Sequence, residues 1–241
     1  MRLPKITLSI AALAAANLVP LAGVLLLDWN AEVIVLLYWT ENVVVGFYNV
    51  LRMGVLRVEK PVLHLEKLLA IPFFCLHFGG FCAVHGVFLL AFFKVGGGLG
   101  HGFPDLDWPG HLVFLQMLVA VIVRLWRSHP PGMQWPVLCL FVSHGVSFVQ
   151  NYLLGKEYAS ATMQGLMARP YTRIVLLHFA IIAGGLPVMV LGSPVPLLFV
   201  LVGLKIGLDV WLHVRSHRAA PAAADRRRGR RQVEPASAAD G

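Results

Sequence analysis

Charge is what this sequence has least of. Only 13% of its 241 residues are Asp, Glu, Lys or Arg, against roughly 25% in an ordinary soluble domain. That shortage excludes a water-soluble globular fold. Cysteine is scarce too, and Cys75, Cys82 and Cys139 all lie inside apolar runs with no C-x-x-C spacing. No disulfide framework is therefore implied, and the three thiols act as small hydrophobes. The Gly/Pro-rich stretch 94–110 lacks the Gly-Lys-Ser/Thr ending of a phosphate loop, so it is a connector. Acidic residues are the scarcer sign, twelve against twenty Lys and Arg. Much of that excess belongs to Arg215, Arg218, Arg226, Arg227, Arg228, Arg230 and Arg231 near the C-terminus.

What the chain has instead is hydrophobic residues, 58% of the total, with a mean hydropathy of +0.73. Apolar runs at 6–27, 33–51, 68–93, 111–126, 135–154, 173–191 and 197–214 predict an all-α polytopic membrane protein, six or seven helices in one bundle. Residues 1–217 form the helical domain. Residues 218–241 are predicted to be a disordered basic tail that fixes orientation and touches anionic lipid, with no nucleic-acid role.

The run 111–126 is short for a span, which needs roughly 20 apolar residues. If all seven runs crossed from an inside N-terminus, most basic residues would fall outside, against the positive-inside rule. Making 111–126 an interfacial or re-entrant helix leaves only Lys94, Arg124 and Arg127 outside. Six crossings of the inner membrane, with both termini and the loops 52–67 and 155–172 cytoplasmic, is the topology the charges favour.

The run 72–93 organises the rest. It carries His77 and His85 and no charge, with Cys75, Gly79, Cys82, Ala83 and Gly86 forming a small-residue stripe along which another helix can approach. On a helix the two histidines stand about 12 Å apart along the axis, too far to share one metal ion. Elsewhere Glu41 lies near the middle of 33–51, on a face with Tyr38, Asn42, Tyr48 and Asn49. An ionised carboxylate there must be protonated, paired or solvated. His144 shares a face with Ser143, Ser147, Gln150 and Asn151. His178 opens the span 173–191, and Lys205, Asp209, His213 and His217 follow at four-residue spacing.

The motifs YWTEN at 38–42, LHFGGFCAVHG at 76–86, RPYTRIVLLHFAIIAGG at 169–185 and LGSPVPLLFVLVGLKIGLDVWLHVRSH at 191–217 carry a resemblance. By them the chain resembles the prokaryotic membrane family catalogued as domain of unknown function 6498, over nearly all of residues 6–217. The resemblance implies an integral membrane protein and no particular activity. His213 and His217 are also similar to the His-x-x-x-His pair of alkaline ceramidase and progestin-receptor-like zinc hydrolases. No histidine here has the serine four residues before it that completes their motif.

In the favoured topology His77, His178, Asp209 and His213 fall in one layer and Glu41, His85 and His144 in another. Three imidazoles and a carboxylate suit Zn²⁺ or Fe²⁺ with an open position. The leading expectation is thus a metal-dependent intramembrane hydrolase acting on a lipid-like substrate, with Glu41 moving protons. A proton-coupled or small-solute transporter using Glu41, His85, His144 and the Lys205–Asp209 pair is the alternative, and a non-catalytic membrane scaffold is the third.

Overall fold

A computed structural model describes residues 18, 21–56, 61–97, 104–128 and 132–208. These residues contain helices and no strand. They are α1 (Ala31–Val55), α2 (Pro61–Phe93), α3 (Val113–Ser128), α4 (Gln134–Ser147, continued by the π-helix Phe148–Leu154), α5 (Met163–Ala168), α6 (Tyr171–Leu191) and α7 (Val195–Leu208). Among the described residues five helical stretches are long and apolar enough to cross a membrane. The chain is an all-α bundle of membrane type. The basic tail, and most of the first apolar run, lie outside the described residues.

Local sequence explains where the helices begin and end. Asn30 caps α1, its side-chain oxygen accepting from the Glu32 and Val33 amides at 2.8 and 3.2 Å. Thr162 caps α5 the same way through Gly165 N–H. Gly192, at φ +62°, closes α6 in the left-handed conformation that glycine takes without penalty. The expected loop 52–67 is shorter than its charges suggested, because α1 runs on to Val55 and α2 starts at Pro61. Proline is at home in a first helical turn, where its missing N–H costs nothing.

The centre of the bundle is α2, packed against α1, α3 and α6. Its small residues admit the neighbours, as the stripe predicts. Gly79 and Gly80 face Leu115 and Phe114, and Gly86 faces Val121 and Trp39. Trp39 donates its indole N–H to the Cys82 carbonyl at 2.8 Å, tying α1 to α2. One apolar core gathers Val35, Leu36, Trp39, Leu89, Leu90, Val121, Leu177 and Leu197. A second, toward the other end, gathers Met53, Phe74, Phe78, Tyr152, Leu166 and Ile174.

Helix direction follows from which residues meet. Tyr171 lies beside His77, His178 beside His85 and Gly185 beside Phe92, so α2 and α6 run parallel. Tyr48 meets Phe141 and Tyr152 meets Arg52, so α1 and α4 are parallel as well. Two parallel helices need an odd number of crossings between them, and α4 supplies one. The helix α3 runs alongside α2 in the same direction, from Gly79 and Gly80 toward Gly86, so it returns toward the end at which α2 finished. The stretch Gly110–Ser128, expected to be short for a span, is nonetheless one of the five long and apolar enough to cross.

Candidate functional site

Two polar centres lie on different faces of α6. The first is built by Glu41 from α1. Its carboxylate pairs with Arg173 Nη2 at 2.5 Å, and His144 Nε2 of α4 stands 3.8 Å from the same oxygen. The side chains keep 18% exposure for Glu41 and 35% for Arg173, so the pair is partly rather than fully desolvated. Close by, Lys205 Nζ of α7 lies 4.8 Å above the Tyr38 ring, a cation–π geometry. Deeper along α1, Asn49 donates to the Leu166 carbonyl at 2.9 Å, which is interhelical glue.

The second centre joins α2 to the opposite face of α6. His85 Nε2 and His178 Nδ1 are 3.0 Å apart. At that distance one ring donates and the other accepts, so the neutral pair shares a single proton between the two facing nitrogens. His85 is almost wholly buried, at 1% exposure, and its Nδ1 has no hydrogen-bond partner among the described residues. Two turns away, His77 Nδ1 lies 2.7 Å from the Tyr171 hydroxyl, with Phe73 stacked on the imidazole. His77, His85, His111 and His178 all line one cavity of about 590 Å³. Its remaining lining is Phe73, Leu76, Gly80, Phe81, Val84 and Phe114, with no charged side chain. His77, His111 and His178 are exposed, so the cavity opens sideways from the bundle while His85 forms its floor.

These contacts regroup the expected layers. Glu41 and His144 do meet. His178, however, engages His85 of the other expected layer, while His77 engages Tyr171. The reason is the parallel register of α2 and α6: with α6 starting at Tyr171, its first turn falls level with His77 and its second and third turns with His85. Asp209, the partner expected for Lys205, lies outside the described residues, as do His213 and His217. Among the described residues no three His, Cys, Asp or Glu side chains stand close enough to hold a metal ion.

Sequence reasoning overlooked Arg173 and Tyr171. Arg173 had a signal, since it is the one basic residue of its apolar run, and the lone carboxylate of the 33–51 run needed a counter-charge. Nothing in the sequence could choose between Arg173 and Lys205 for that role.

Residues 1–226 match the profile of one protein family, described as a family of unknown function (DUF6498). No curated protein and no solved structure matches the chain.

Proposed function

The chain belongs to this family of unknown function, whose description carries no activity, and from its own site we propose an intramembrane enzyme of hydrolase type acting on a lipid-like molecule. The apolar chain of the substrate lies in the sideways-open cavity between α2, α3 and α6. Its polar group meets the His85–His178 pair. One observation carries the reading: a cavity of about 590 Å³ whose only polar lining is four histidines, two of them hydrogen-bonded to each other. Apolar walls with a few convergent polar groups are the usual make-up of a ligand site.

Proton transfer is the chemistry that such a pair supports. His178, exposed to the cavity, gives or takes a proton at the substrate, and His85 behind it exchanges the shared proton and stabilises the charge on its neighbour. Histidine suits this task because its unperturbed pKa lies near neutrality. Tyr171 orients His77 through the contact to its Nδ1. Glu41, expected to move protons at the site, is instead held by Arg173 on another face of α6 and does not line this cavity.

A second reading keeps Zn²⁺ or Fe²⁺ at the expected set His77, His178, Asp209 and His213, of which His77 and His178 line this cavity. The imidazole-rich lining favours it, since both ions accept such ligands. One experiment separates the two. Protein reconstituted in liposomes is exposed to a photoreactive fatty-acyl probe, and the same preparation is assayed on lipid-like esters and amides and analysed for metal. We expect labelling of α2, α3 and α6 that Val84→Trp blocks by filling the cavity, and hydrolysis that His178→Ala abolishes. Labelling unchanged in Val84→Trp would reject the site. Stoichiometric metal lost in His178→Ala would select the metal reading.

A further inference from the structure

We infer that the protein carries a separate binding site for a phosphate-type oxyanion in the cavity between α1, α6 and α7. This site is distinct from the histidine cavity and goes beyond the proposed reaction. The cavity measures about 490 Å³ and is lined by Tyr38, Glu41, Asn42, Arg169, Thr172, Arg173 and Lys205 beside leucines. Three cations against one carboxylate leave two positive charges uncompensated among these lining residues. Arg173 and Lys205 are half-buried and Arg169 is exposed, so together they give the cavity a net positive lining that attracts an anion.

The cations come from two helices and from the segment that leads into one of them. Arg173 sits on α6, Arg169 lies two residues before that helix begins, and Lys205 comes from α7. Arg173 spends Nη2 on Glu41, and a guanidinium has five N–H donors in all. Donors therefore remain for a second acceptor, and the guanidinium fork is matched to phosphate oxygens. The Tyr38 ring beneath Lys205 Nζ holds the ammonium at the cavity wall rather than letting it swing away. The hydroxyl of Thr172 and the amide of Asn42 add neutral donors. The cavity lies at the end of the bundle where Arg169 joins α5 to α6, so either an anionic lipid headgroup or a free phosphate could supply the group.

The test uses the full-length protein in a neutral detergent. Calorimetry measures binding of inorganic phosphate in one arm and of short-chain phosphatidylglycerol in the other, with short-chain phosphatidylcholine as the zwitterionic control. Saturable binding in at least one anionic arm is expected. Arg169→Gln and Lys205→Gln should each weaken it by at least about tenfold, the loss of one charge-assisted hydrogen bond. Arg127→Gln, an exposed charge on α3 away from the cavity, should change nothing. Arg173 is left intact in these variants so that Glu41 keeps its partner, and unchanged melting temperatures certify folding. Phosphatidylglycerol binding alone identifies a lipid headgroup, and phosphate binding alone a free anion. Absence of saturable binding in both arms, or affinity unmoved by both variants, overturns the assignment.

Discussion

An ionised carboxylate among hydrocarbon costs at least about 2.5 to 3.5 kcal/mol even on lenient insertion scales, and Glu41 offsets that cost by pairing with Arg173. Removing one partner of a fully buried pair destabilises by about 3 to 5 kcal/mol. The figure here should be smaller, because Arg173 retains 35% exposure and water screens the orphaned charge. Arg173→Met and Glu41→Gln should therefore each lower the thermal midpoint in detergent, while the double variant recovers part of the loss. Additive losses across that double-mutant cycle would mean that the two residues do not act as a pair. Of the candidate residues, Glu41 was legible from its depth in an apolar run. Its partner was not, since a counter-charge comes from another helix at no fixed sequence distance.

At the scale of single helices, the glycines of α2 decide how near its neighbours come. A Cβ built on Gly86 would lie 2.6 Å from Val121 Cγ1 and 2.8 Å from the Trp39 ring, closer than real side chains approach. Gly86→Ala should destabilise by about 1 to 3 kcal/mol, the usual cost of overpacking, and should loosen α1 and α3 from α2 together. Gly54, with nothing within 4 Å of an added Cβ, is the matched control, where alanine should be neutral or slightly stabilising in a helix. Equal melting temperatures for the two variants would show that α3 does not press on α2. The small-residue stripe was readable because it recurs at three- and four-residue spacing. Which helix used it was not.

For the whole molecule, the parallel pairs α1 with α4 and α2 with α6 require that α3 adds no crossing. Reporter fusions after Gly97 and after Gly132 should then report the same side of the membrane, and fusions after Lys60 and Gly165 the other, the expected cytoplasmic side by the positive-inside rule. Opposite signals at Gly97 and Gly132 would restore α3 as a span and break the parallel pairing. By itself the sequence determined that this chain is an all-α membrane bundle and where most of its helices lie. Those properties are local: run length, hydropathy and flanking charge act through the segment that bears them and through the bilayer. Only the tertiary structure decided that His178 meets His85, that His77 meets Tyr171 and that Glu41 meets Arg173. Such pairings depend on the relative height of two helices, and a shift of one turn, about 5.4 Å, exchanges one set of partners for another without altering the hydrophobic pattern of either helix.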